Sequence, residues 1–218
     1  MMLGSYAASG QALIALVFGK KITNSKLHLG IYLGASSSWI DGASGQMPRY
    51  GFAIGAYTIY DLNTHWQLAM DIVMRSPKGA KQLRYENSFV VPDDAALIGE
   101  DFNRLLTYMS FTPLIRYKLT PSWGIAAGPY VAARTKAKDI YGKDTENGTL
   151  YYYYNSKKDI HLADAGASFD IQYILMKGKG MHINAQFNLG LTNFYKDKNT
   201  HAYHRQILLG VGIPIGNR

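Results

Sequence analysis

Trp66-Gln67-Leu68-Ala69-Met70-Asp71-Ile72-Val73-Met74-Arg75 is the stretch that decides the fold of this chain. Trp66, Leu68, Met70, Ile72 and Met74 point one way, and Gln67, Asp71 and Arg75 point the other. A period of two sends successive side chains to opposite faces of a strand. The apolar face is continuous and the opposite face carries charge. Such a strand fits poorly in the core of a soluble sandwich and fits a wall with lipid on its apolar side.

The same alternation recurs along the chain. It predicts eight strands, over 27–39, 50–62, 65–75, 104–119, 122–138, 160–176, 181–195 and 204–215. Met109, Phe111, Pro113, Ile115 and Tyr117 oppose Ser110, Thr112 and Arg116. Ile183, Ala185, Phe187 and Leu189 oppose Asn184, Gln186 and Asn188. Most of these strands are long for a globular protein and suit a tilted membrane span. Short turns at Asn63-Thr64, Thr120-Pro121 and 177–180 alternate with longer connections over 40–49, 76–103, 139–159 and 196–203. Short turns at one end and longer loops at the other are how outer-membrane barrels are built. The expected fold is therefore all-β, an eight-stranded antiparallel up-and-down transmembrane β-barrel. Both termini and the short turns are expected on the periplasmic side. Pro113 and Pro129 lie inside strands on the outward face, where a missing N–H predicts a bulge or a gap in pairing.

Eight strands leave an interior barely wide enough for side chains. The inward face carries Asp71, Arg75, Arg116, Arg134, Asp164 and Asp170. Buried charges are costly unless paired, so these six are expected to form a luminal charge network that fills the barrel. Trp39, Trp66, Trp123 and Tyr117 are expected in the membrane-interface girdles, with Trp66 and Trp123 at the inner rim and Trp39 at the outer one. Tyr151-Tyr152-Tyr153-Tyr154 extends a rim hairpin, either as girdle or as an adhesive outer patch.

The 218-residue chain has no cysteine, which excludes disulfides, zinc–thiolate sites and a cysteine nucleophile. No apolar run is long enough for a spanning helix. Residues 1–10 read as the remnant of a signal peptide, with Ala8 and Gly10 before a cut at Gln11. Residues 11–26 form an N-terminal periplasmic segment whose apolar stretch could close the inner mouth or dock on a partner, and 27–218 form the barrel. The formal charge is +8. Lysines cluster at 136, 138, 143, 157 and 158 and flank the strands. They are solvated loop tips or contacts to anionic lipid head groups and lipopolysaccharide. No nucleic-acid-binding module accompanies them.

Asp159 with His161, or His201 with His204, would sit near the outer rim, where a lipid-modifying enzyme would need them. No acid–histidine–serine set accompanies them, so no catalytic residue is assigned. No metal or cofactor site is assigned either; the His201 and His204 spacing lacks a carboxylate pair.

Several segments together resemble the PorT-like outer-membrane β-barrel family of Bacteroidetes-type Gram-negative bacteria. Residues 12–21, ALIALVFGKK, are similar to that family's entry segment. Residues 108–117, YMSFTPLIRY, resemble its proline-containing strand, Ala127-Gly128-Pro129-Tyr130 its glycine–proline–tyrosine strand, and 188–193, NLGLTN, a later strand ending. Ser110 and Thr112 depart mildly from the pattern, and Ile215-Gly216-Asn217-Arg218 lacks the terminal aromatic residue. The resemblance implies an eight-stranded outer-membrane barrel without one fixed activity; one branch of the family serves a secretion and gliding apparatus. Three roles follow as expectations: a non-enzymatic envelope barrel that meets partners through its outer loops or N-terminal segment, a narrow porin-like diffusion channel, or a rim-located lipid-modifying enzyme.

Overall fold

The computed structural model describes residues 26–215 apart from 91, 93, 94, 147, 179 and 197–200. The expected leader remnant over 1–10 and nearly all of the segment 11–26 lie outside the described residues. Among the described residues nine strands form: β1 (Leu27–Asp41), β2 (Met47–Asp61), β3 (Trp66–Leu83), β4 (Phe102–Lys118), β5 (Trp123–Thr145), β6 (Gly148–Tyr154), β7 (Ala163–Ile174), β8 (His182–Gly190) and β9 (Tyr203–Ile215). All pairings are antiparallel. Eight strands close a ring in the order β1-β2-β3-β4-β5-β7-β8-β9, with β9 returning to β1. The fold is an eight-stranded up-and-down transmembrane β-barrel. β6 stands outside the ring, paired to the far half of β5.

Closure removes the free edges that an open sheet would expose. The outer wall is apolar in strand after strand: Leu68, Ile72, Ile115, Ile125, Phe169 and Leu209 are all exposed. An apolar surface of that extent on every strand has to be covered by lipid. Leu29 pairs with Ile215, and the turns after β2, β4 and β7 lie at that same end. The third of these turns is a four-residue helix, α1 (Leu175–Gly178).

Three loops shrink relative to the sequence expectation; the one over 40–49 contracts to 42–46 because β1 and β2 both run further. β3 continues to Leu83, into what reads as a loop over 76–103, and β5 with β6 builds a two-stranded extension out of 139–154. The tyrosine run hides that strand, because tyrosines on both faces show no apolar–polar period. Conversely, 160–162 and 191–195 leave the barrel strands and keep one isolated bridge, Ile160 to Tyr195.

The register shifts at several places, including Ala80–Leu83 on β3, and two of these bulges change which of the expected charged residues face inward. On β3, Val73 pairs with Ser110 and Ser76 with Tyr108, so β3 carries one extra residue there. β2 sees the same irregularity, with Gly55 opposite Val73 and Ile54 opposite Arg75. On β5, Lys136 opposes Thr107 and Arg134 opposes Tyr108, so β5 is also one residue longer than its partner. An inserted residue flips every side chain beyond it to the other face. The two strand prolines behave differently. Pairing of β4 with β5 stops at Phe111–Val131 and resumes at Ile115–Ala127 in unchanged register, so Pro113 and Pro129 face each other across a gap without a bulge.

Candidate functional site

The barrel interior is a stack of charge pairs. Nearest the short turns, Arg116 Nη2 donates to Asp170 Oδ1 at 2.8 Å, and Asn184 donates to the other carboxylate oxygen at 2.9 Å. Asp71 is buried beside them. Midway, Lys78 Nζ donates to Asp164 Oδ2 at 2.5 Å, joining β3 to β7 across the lumen. Tyr130 and Thr192 donate to the same carboxylate, each at 3.1 Å. Lys78 lies 4.5 Å from the Tyr130 ring centre and 5.2 Å from that of Tyr108. At the end away from the short turns, Arg104 grips Asp139 through Nε at 3.0 Å and Nη2 at 2.6 Å. Both oxygens of the carboxylate are engaged, the geometry in which an arginine ion pair is strongest. The side chains of all three pairs are at most 2% exposed.

Neutral groups fill the space between these tiers. Gln186 donates to Ser168 at 2.7 Å, Asn188 donates to Gln206 at 3.1 Å, and Gln206 donates to the Pro77 carbonyl at 2.8 Å. This chain of side chains runs from β7 through β8 and β9 to β3, straight across the interior. Aromatic rings close against bare backbone beside it. A Cβ placed on Gly210 would lie 2.1 Å from the Tyr32 ring, and one on Gly212 would lie 2.0 Å from that of His182. Only glycine lets those rings lie flat against β9.

An aromatic cap covers the Arg104–Asp139 tier. Arg104 lies 4.1 Å from the centre of the Phe89 ring, 5.0 Å from Phe102 and 5.4 Å from Tyr195. Ile40, Leu97, Tyr141 and Phe194 complete the cluster. Tyr195 Oη accepts from Arg104 at 2.5 Å, and Ser156 donates to Asp139 at 3.2 Å. Burial pushes the Tyr141 hydroxyl up to about 12 and raises that of Tyr195 as well, so both stay protonated.

Asp71, Arg116, Asp164 and Asp170 lie buried inside the barrel. Arg75 does not. The β3 bulge turns it to the exposed outer wall and brings Lys78 inward instead. Arg134 also departs from the expected network. It sits at the β5 bulge and donates to the backbone carbonyls of Lys157 at 3.1 Å and His161 at 3.3 Å, pinning the segment between β6 and β7. Lys78, Arg104 and Asp139 fall in segments that read as loops or loop borders, and alternation alone does not find them. Trp66 packs edge-on to Tyr117 at 4.9 Å and Trp123 against Tyr173 at 4.8 Å, both on the outer wall at the short-turn end. Trp39 lies at the opposite end, stacked on Phe187.

The rim histidines have unlike surroundings. His204 is buried, stacked on Phe194 at 4.4 Å, with Nε2 3.2 Å from the Tyr108 hydroxyl. His161 and His201 are exposed, and Asp159 accepts a hydrogen bond from Tyr154. Among the described residues no three His, Cys, Asp or Glu side chains converge.

No protein-family model matches the chain, and no curated protein matches it. Solved structures do. Ail, the attachment invasion locus protein of Yersinia pestis, is 12% identical, with 87% of this chain and 99% of that one covered and a TM-score of 0.45. Neisserial surface protein A is 13% identical over 86% of this chain and 96% of that one, with a TM-score of 0.38. The outer membrane protein OprG from Pseudomonas aeruginosa is 11% identical over 87% and 94%, with a TM-score of 0.33. Values this low say nothing about activity, and the barrel assignment rests on the strand pairing itself.

Proposed function

We propose that this chain is a non-enzymatic integral barrel of a Gram-negative outer membrane. Its lumen is closed, and its role is structural or interactive, within a larger envelope assembly of the kind that the PorT-like resemblance implies. Its short turns and both ends of the described barrel face the periplasm, and the β5–β6 extension stands outside the cell. Lipid and lipopolysaccharide surround it. The observation that carries this reading is the stack of three crossing or bidentate ion pairs under an aromatic cap. Such an interior holds the barrel shut and leaves the outer surface as the working part. Single-channel recording in planar bilayers tests it. A silent membrane is expected, and steady large openings would replace this reading with a diffusion channel.

The channel reading draws on one feature of the inner half of the lumen. Arg116 Nε and Nη1, both amide atoms of Gln172 and Asn184 Oδ1 are buried without a hydrogen-bond partner among the described residues. Polar atoms of that kind suit a wet chamber below the cap. The enzyme reading is tested by lipid A profiling of cells carrying His161→Ala and His204→Ala. An unchanged profile is expected, and loss of a lipid A modification would restore the enzyme.

A further inference from the structure

A basic, aromatic cleft of about 320 Å³ opens on the outer flank of the β5–β6 extension, lined by Lys136, Lys138, Lys157, Tyr153, Tyr154 and Asn155. Its place follows from the second bulge. Before the bulge, β5 sends Ile125, Val131 and Ala133 outward; after it, Ala137, Asp139 and Tyr141 turn inward, so Lys136 and Lys138 face out. The lysines therefore continue the lipid-facing wall past the end of its apolar belt.

Height settles what they meet. From Trp123 to Ala133, a tilted strand climbs about 25 Å, the thickness of the apolar band of an outer-membrane barrel. Lys136 and Lys138 start about 7–12 Å higher, at head-group level, and their flexible stems let the ammonium groups dip lower. Lys138 Nζ lies 3.8 Å from the Tyr153 ring centre, and the exposed rings of Tyr151 and Tyr153 stack at 6.1 Å. Among the described residues none of the three lysines forms an ion pair, while neighbouring Lys143 is taken by Glu100. Two acids of the adjoining segments are engaged: Asp159 accepts from Tyr154, and Asp139 is held by Arg104. Arg134 fixes the Lys157 carbonyl at 3.1 Å and so holds the third lysine's backbone against β5.

We propose that this cleft binds the phosphorylated sugar head group of a glycolipid in the outer leaflet. Three ammonium groups meet the phosphate, and the tyrosine faces meet the sugar ring. This inference rests on the outer-membrane placement proposed above. The test uses the full chain folded in zwitterionic detergent, titrated with diphosphoryl lipid A, with the same lipid dephosphorylated, and with inorganic phosphate. Diphosphoryl lipid A is expected to bind, and the triple variant K136Q/K138Q/K157Q to weaken it at least about tenfold, since each lysine near an anionic surface contributes measurably. The exposed-wall control K81Q is expected to bind as the parent does. Equal binding by the triple variant, equal binding of the dephosphorylated lipid, or displacement by millimolar inorganic phosphate would each overturn the head-group site. Insertion into vesicles, read by protease protection, is scored separately. Failure to insert refutes the membrane placement, whereas insertion with an unaffected triple variant refutes the cleft alone.

Discussion

Lys78→Met isolates the middle tier. The ammonium group donates to Asp164 at 2.5 Å with side chains 1% and 0% exposed, so its removal leaves a carboxylate with only Tyr130 and Thr192 at 3.1 Å. Breaking a buried pair by removing one partner costs about 3–5 kcal/mol, because the remaining ion stays desolvated. The methionine stem keeps most of the packing between Tyr108 and Tyr130, so cavity formation adds little. Loss of the cation over the Tyr130 ring, 4.5 Å away, adds about 1 kcal/mol. The expected loss is thus about 5 kcal/mol. It is measured by urea unfolding of the barrel in lipid vesicles, followed by tryptophan emission from Trp39, Trp66 and Trp123. Lys78→Met with Asp164→Asn removes both charges and is expected to recover about half or more of the loss, since a neutral buried pair costs far less than an orphaned ion. A single-variant loss under about 1 kcal/mol, or a double variant no better than the single one, would refute a dry ion pair at the barrel centre.

Three further outcomes follow from the same geometry. Arg75→Ala is expected to shift stability by no more than about 0.5 kcal/mol in the same urea assay, because the bulge leaves that side chain on the outer wall. Gly210→Ala forces a Cβ to within 2.1 Å of the Tyr32 ring and is expected to destabilise by about 1–3 kcal/mol, with Tyr32→Ala in the same chain relieving the clash. Arg104→Ala orphans Asp139 at the end away from the short turns; a loss of about 3–5 kcal/mol is expected, together with faster proteolysis next to Phe89 and Leu97, which pack in the cap.

Alternation along Trp66–Met74 and its repeats reveals the architecture, because a lipid-facing wall demands an apolar residue at every second position. Asp71, Arg116, Asp164 and Asp170 could be placed in the lumen on the same ground. What the alternation cannot show is a change of phase. One extra residue at Met74–Arg75 leaves no mark in composition, yet it exchanges Arg75 for Lys78 as the luminal cation. The extra residue near Thr135 does the same beyond Arg134 and turns Lys136 and Lys138 outward. Partners across the lumen were equally hidden. Lys78 and Asp164 lie 86 residues apart. Nothing local tells either strand that the other faces it. Arg104 and Asp139 stand at the borders of long connections, where a strand continuing past the membrane cannot be told from a loop. The two prolines were legible as a defect in pairing. That they stand opposite each other, and so cost one gap instead of two bulges, emerges only from the register.

Because the chain lacks cysteine, single-cysteine variants at each position from 66 to 78 can carry a nitroxide label without background. In vesicles, collision rates with oxygen, which concentrates in lipid, and with a water-soluble nickel chelate read the surroundings of every side chain along β3. A closed barrel predicts high oxygen access at 68, 70, 72, 74 and 75, and low access to both reagents at 69, 71, 73, 76 and 78. The two adjacent exposed positions mark the bulge. Nickel access at 69, 71 and 73 would mean a water-filled pore, and unbroken alternation through 78 would mean that Lys78 faces lipid and the central ion pair does not exist.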